Sequence, residues 1–328
     1  MKRMFLLLSL FAFCCSASLA GERVVVYVTF HEREALALFE GCEAKTGLKF
    51  DYVRGPTGEL FARALAEKDN PKVDIMLGGS IENHEALKAV DMLVKYDSPE
   101  AAAISPDYKD KDLTWTGFYI GPVSIAVNQE RWESEFKGKA EIPKTFEDLL
   151  NPVFKGEIVM PDPSRSGTGY NMLAGIVQSM GEEKAMEFLK KFKPQVAQFP
   201  SSGFKPAQMV GQGEYLISLN FIHDQLLINS QGMPLYMNVP PGASWEIGAI
   251  SIIKNGPNTE GAKKFADFVL SKQGGDIHSG ITMRLSTRTD VDIPPGATSI
   301  DKLDINTKFD FEKAAADKKR LVAAWNEM

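Results

Sequence analysis

From Val24 onward the sequence alternates between short β-branched runs and amphipathic stretches, and this alternation restricts the fold more than any other feature. Val24–Val28 reads as a buried strand that passes through Thr29, Phe30 and His31 into a helix with Leu36, Phe39 and Cys42 on one face, closed by Gly47. Phe50–Val53 is a second strand, followed by Gly55-Pro56-Thr57-Gly58 and a helix carrying Leu60, Phe61, Ala64 and Leu65. Val73–Leu77 is a third, broken by Gly78-Gly79-Ser80 before another helix. Strand and helix in strict alternation predict a parallel sheet in an α/β fold. In such sheets ligands sit beyond the carboxyl ends of the strands, so the loops at Thr29–His31, Gly55–Gly58 and Gly78–Ser80 become candidates on position.

A second strand-to-helix handover is chemically richer. Gly156–Met160 reads as a short buried strand, and Met172, Leu173, Ile176, Val177 and Met180 recur at helical spacing until Gly181. Between them stands Pro161-Asp162-Pro163-Ser164-Arg165-Ser166-Gly167-Thr168-Gly169-Tyr170. Free N–H groups, the positive end of a helix dipole and several hydroxyls converge there, a combination that suits an anion, phosphate above all. The same residue types also make ordinary N-caps that bind nothing. The spacing is neither the dinucleotide nor the P-loop motif, because no third glycine and no Gly-Lys-Ser/Thr follows.

The first twenty residues are read as a secretory leader: basic Lys2 and Arg3, an apolar run from Met4 to Phe13, and Ser18-Leu19-Ala20 as a cleavage site before Gly21. Soluble export is expected rather than lipidation at Cys14 or Cys15, since Cys14 follows Phe13 and not a small residue. Without the leader one cysteine remains, Cys42, which excludes an internal disulfide and reads as a buried small hydrophobe. The whole chain carries a net charge of −6, and losing Lys2 and Arg3 makes it more acidic still. Nucleic acid and anionic membranes are therefore poor partners. A chain of 328 residues with mixed helix and strand signals calls for two lobes rather than one core.

Thr116–Val127, interrupted by Gly121-Pro122, reads as a long strand crossing between lobes. Later come a Lys-rich helix from Glu182 to Phe192 and a hydroxyl-rich loop at Ser201-Ser202-Gly203. A strand from Tyr215 then ends in Phe221-Ile222-His223-Asp224, and Pro240-Pro241-Gly242 precedes Trp245-Glu246. A helix is expected from Thr259 to Leu270, stopped by Gly274-Gly275. Phe311, Ala314, Ala315, Leu321, Val322 and Trp325 form a final helical stripe, read as packing.

The ordered set of Val24-Val25-Val26-Tyr27, Asp74–Gly79, Pro161–Ser164 with Ser166-Gly167-Thr168, Pro240-Pro241-Gly242 and Ala249–Asn258 resembles the periplasmic solute-binding proteins of ABC importers, in the ferric-iron-binding-like group. The resemblance implies a two-lobed periplasmic-binding-protein fold (type 2), each lobe a mainly parallel sheet flanked by helices, with ligand in the interlobe cleft. The division it suggests is a leader at 1–20, one lobe from 21–118 and 239–290, the other from 119–238, and a C-terminal helical segment at 291–328. Ferric binders of this group hold the metal with a consecutive tyrosine pair, usually aided by a histidine and a glutamate; here His31 falls near the histidine position, but the tyrosine pair falls on His223-Asp224 and the glutamate on Gly79. Losing the phenolates removes the hard anionic ligands Fe³⁺ requires.

The chain is closest in pattern to the hexose-phosphate-binding branch, in which His, Asp and Glu grip the sugar and the Ser-Gly-Thr turn takes the phosphate. This implies His223, Asp224 and Glu246 at the sugar and Ser166, Gly167, Thr168 and Gly169 at the phosphate, with Ser164 and Ser202 (or Ser201) as further ligand contacts. Thr29, Phe30, His31, Gly79 and Ser80 complete the expected site. Related members bind 2-aminoethylphosphonate. The expectation is capture without chemistry, by a periplasmic monomer that needs no cofactor and delivers a phosphorylated ligand to an inner-membrane permease. A sugar-phosphate hydrolase using His223 and Asp224 is the enzymatic rival, though no Gly-x-Ser-x-Gly or two-metal ligand spacing accompanies them. A sensor partner for a membrane receptor would use the same fold.

Overall fold

The computed structural model describes residues 23–328. The leader, its cleavage point after Ala20, and Cys14 and Cys15 lie outside the described residues. In chain order the structure runs β1 (Arg23–Val28), α1 (Glu32–Thr46), β2 (Lys49–Arg54), α2 (Thr57–Ala66), β3 (Ile75–Ser80), α3 (Ile81–Lys88) and β4 (Thr116–Asn128). It continues through the single turn α4 (Gln129–Arg131), β5 (Ile158–Val159), α5 (Gly167–Met180), α6 (Glu182–Phe192), β6 (Val196–Gln198), α7 (Lys205–Gly211), β7 (Ile217–Phe221) and α8 (Ile222–Ser230). The remainder is β8 (Leu235–Asn238), β9 (Trp245–Ile252), α9 (Thr259–Leu270), α10 (Lys272–Thr282), β10 (Leu285–Ser286) and α11 (Phe311–Glu327).

The predicted alternation forms one sheet, in which β1 pairs parallel with both β2 and β3. Gly47 closes α1 in the left-handed conformation, φ 76°, its N–H donating to the Glu43 carbonyl. β9 adds antiparallel to β3, and β4 adds antiparallel to β9 from Thr116 to Pro122. From Val123 the same strand pairs instead with β7, and it takes β8 on its other edge from Ile125. β7, β5 and β6 complete the second sheet, with β5 parallel to both neighbours. One buried strand of 13 residues thus joins two sheets, each the floor of a lobe.

Each lobe has its own core. Val24, Val26, Leu38, Phe39, Ile75 and Phe265 gather under the first sheet. Ile125, Ile158, Tyr170, Leu173, Phe188 and Ile217 gather under the second, joined by Leu321 and Trp325 of α11. The C-terminal stripe is therefore packing, and burying side chains of this size stabilises by about 1.5–3 kcal/mol each. α11 also reaches the first lobe, where Lys318 Nζ donates to Asn83 Oδ1 at 2.7 Å.

Gly274-Gly275 do not act as the expected stop. α9 ends at Leu270, and both glycines lie in the first turn of α10. Ser271 Oγ caps the new helix by accepting from Gly274 N at 3.2 Å. The turn back from α9 is so tight that a Cβ on Gly274 would collide with the Phe268 and Val269 carbonyls. The glycines are there for close approach, not for termination.

Candidate ligand-binding site

The carboxyl ends of β1, β3 and β7 and the start of α5 face one cavity between the lobes. Thr29, Phe30, His31, Gly79, Ser80, Ser166, Gly167, Thr168, Ser202, His223, Asp224 and Glu246 all line it. So does Ser201.

Two expected residues stand apart from the cavity. Ser164 turns toward Asp162, to whose Oδ1 both its N–H (2.8 Å) and its hydroxyl (2.7 Å) donate. Arg165 Nε donates to the other oxygen, Asp162 Oδ2, at 2.9 Å, and the side chain faces outward. Asp162 thereby organises the turn, and Ser164 shapes it rather than facing the ligand space. Gly169 is buried against the Pro161 carbonyl, where a Cβ would clash, and its N–H donates to the capping Ser166 Oγ at 3.4 Å.

One end of the cavity is built from both lobes. Gly167 and Thr168, in the first turn of α5, have N–H groups without intrahelical acceptors. Gly203 has no side chain, and a Cβ there would strike Thr168 Oγ1. Across the cleft Thr57 opens α2 and lies so close to Gly167 that a Cβ would be 3.0 Å from its own. Gly79, at φ 82°, passes under Thr57 and Phe61, where a side chain would approach to 2.8 Å. Two helix N-termini and several hydroxyls therefore face one volume, which favours a negative group.

The other end is a buried charge cluster. Arg284, absent from the expected residues, lines the cavity with 4% of its surface exposed. Its Nε donates to Glu34 Oε2 at 3.2 Å, and its NH1 lies 2.7 Å from His223 Nε2 and 3.7 Å from Glu246 Oε1. An arginine has only donors, so His223 Nε2 is the acceptor and the imidazole is neutral. Burial, then the Arg284 charge, holds His223 well below the usual histidine range. Burial likewise lowers His31 to about 4, aided by Arg284 and Arg54, and raises Asp224 to about 6. Glu246 is pushed well above the carboxylate range by burial, against the pull of Arg284.

Supporting groups fix these side chains. The Arg284 guanidinium lies 4.1 Å from the centre of the Tyr119 ring. That ring in turn covers Gly248, where any Cβ would overlap it. Gly121 gives His223 its place, since a Cβ would stand 2.6 Å from Nδ1. His31 meets Phe204 edge to face at 4.0 Å and stands 3.9 Å from Asp224 Oδ1, closing the cleft from opposite lobes. Trp245 is not among the lining residues and packs instead on Phe311. His84 and His278 are fully buried in the first lobe, His84 between Ser251 Oγ and the Gly78 carbonyl. Among the described residues, no group of three or more His, Cys, Asp or Glu side chains is arranged to hold a metal.

Beyond Arg284, sequence reasoning left out Arg54, Tyr119, Phe204 and Phe221, and it reached Thr57 only through the position of its loop. Nothing around Arg284 in the sequence marks it, because its partners come from α1, α8 and β9.

Residues 70–301 match the family described as bacterial extracellular solute-binding protein. The chain belongs to that family. Among solved structures, this solute-binding protein is similar to the periplasmic binding protein AfuA from Actinobacillus pleuropneumoniae, with exogenous fructose-6-phosphate bound. The two are 34% identical with a TM-score of 0.88, over 93% of this chain and 98% of that one. An uncharacterized protein of Haemophilus influenzae is 32% identical over 93% of this chain and 90% of its own length. The protein named "Putative 2-aminoethylphosphonate-binding periplasmic protein" of Salmonella typhi is 24% identical over 87% of this chain and 85% of its own length. The two-lobed periplasmic-binding-protein fold is the one AfuA has.

Proposed function

We propose that this solute-binding protein captures a phosphorylated small organic ligand in the periplasm, a sugar phosphate such as glucose 6-phosphate or fructose 6-phosphate. It releases the ligand, chemically unchanged, to an ABC permease in the inner membrane. The observation that carries this reading is the composition of one cavity: Ser166, Gly167, Thr168 and Thr57 offer donors to an anion, while Asp224 and Glu246 offer carboxyl oxygens to hydroxyls. AfuA, solved with fructose-6-phosphate bound, supports it by likeness over nearly the whole chain. The protein acts as a monomer exported by cleavage after Ala20. Its lobes are 21–118 with 239–290, and 119–238. They hinge where β4 changes partner near Pro122 and where the chain returns between β8 and β9.

The reading is tested by a thermal-shift screen of residues 21–328. A ligand at about a hundred times its dissociation constant adds about 2.7 kcal/mol of stability. Glucose 6-phosphate or fructose 6-phosphate should raise the melting point, whereas glucose, fructose and inorganic phosphate should not. A response to 2-aminoethylphosphonate alone would keep the anion turn and remove the sugar roles of Asp224 and Glu246. A response to ferric salt alone would overturn the ligand class. Release of inorganic phosphate from glucose 6-phosphate would favour a hydrolase.

A further inference from the structure

The His223 end of the cavity gathers three carboxyl groups, Glu34, Asp224 and Glu246, around a single cation. Without a resident cation, buried carboxylates of this kind form a natural seat for an ammonium group, which would supply the missing charge and donate hydrogen bonds to them. Arg284 fills that seat from within the fold. Its Nε is spent on Glu34 and its NH1 on His223, and the Tyr119 ring holds its guanidinium plane. The bond to His223 also spans the cleft, since Arg284 follows α10 of the first lobe and His223 opens α8 of the second.

We propose that Arg284 is the specificity-determining residue of this end: as the resident counter-ion it makes the site accept a neutral, hydroxyl-bearing group and exclude an amine. This rests on the sugar-phosphate reading and sharpens it. The ligand is an anion at one end and uncharged at the other, rather than a zwitterion. Glu34 supports the assignment. It is wholly buried, contributes no atom to the cavity lining, and accepts from Arg284 and from Thr282 Oγ1 at 2.8 Å, so it serves to anchor the arginine. The carboxyl groups that remain for a ligand, Asp224 and Glu246, are both biased by burial toward their uncharged forms, which suits hydroxyl partners.

The test is calorimetric titration of the mature protein and its variants with fructose 6-phosphate and with 2-aminoethylphosphonate. Wild type should prefer the sugar phosphate. Arg284→Gln should weaken fructose 6-phosphate about tenfold or more while leaving 2-aminoethylphosphonate unchanged or tighter, so that the ratio of the two collapses. Arg284→Lys keeps the charge and loses the fork; its affinities should fall while the preference survives. Equal weakening of both ligands in Arg284→Gln, or a preference lost equally in Arg284→Lys, would mean that the residue only holds the fold and would overturn the proposal. The lysine variant decides the matter even where Arg284→Gln does not fold. A wild-type protein that prefers 2-aminoethylphosphonate would overturn both the proposal and the sugar-phosphate reading; a preference for fructose 6-phosphate with an unmoved ratio would overturn the proposal alone.

Discussion

His278 lies fully buried against Phe118 and Tyr119, and burial, then the Arg284 charge, pulls it down to about 3. Its folded value is thus below the unfolded one of about 6.5. Between those values the unfolded chain binds the extra proton, so stability is present above the window and is lost as pH falls through it. Relative to wild type, His278→Leu should gain about 1.4 kcal/mol per pH unit between roughly pH 6 and pH 4, read by urea unfolding. Parallel stability profiles would refute it. In the cleft itself, Thr168→Ala and Asp224→Ala should each weaken fructose 6-phosphate about tenfold or more, measured by calorimetry. Unchanged affinity in either would remove that residue from the site. At this scale the sequence was informative where chemistry is carried locally: Ser166, Gly167 and Thr168 announce a helix start, and His223-Asp224 stand at the end of a readable strand. Arg284 was hidden because its meaning depends on Glu34 and His223, which are remote in the chain and meet it only after folding. Ser164 looked like its neighbours until Asp162 was seen to claim it.

The turn between β5 and α5 shows how an element can demand a residue for reasons unrelated to ligand. Gly169 must be bare because the Pro161 carbonyl lies against it. Gly169→Ala should therefore cost about 1–3 kcal/mol of stability, as overpacking does, with a matching fall in the urea midpoint. A variant as stable as wild type would show that the turn has slack. The alternation β1-α1-β2-α2-β3-α3 was readable because short β-branched and apolar runs give way to stretches whose apolar residues recur at helical spacing. The α9-to-α10 corner was not, since Gly-Gly carries the same letters whether it ends a helix or lets one pass close to its neighbour. Composition alone does not distinguish the two; the Phe268 and Val269 carbonyls do.

At the scale of the whole molecule, the cleft is held shut by side chains from opposite lobes, His31 on Phe204 and Arg284 on His223. Ligand that bridges the lobes should draw an open population into this form, a hinge closure visible as a smaller radius of gyration in solution scattering on adding fructose 6-phosphate. No change in scattering would argue for a cleft already closed without ligand. The two-lobed division was suggested by chain length and the strand through Gly121-Pro122, but the exchange of partners along that strand needs three dimensions to be seen. β4 is a centre strand of both sheets, every residue of it buried. The halves of this protein are therefore not separable modules: a recombination joint or a chain break within Thr116–Asn128 would strip a middle strand from two sheets at once.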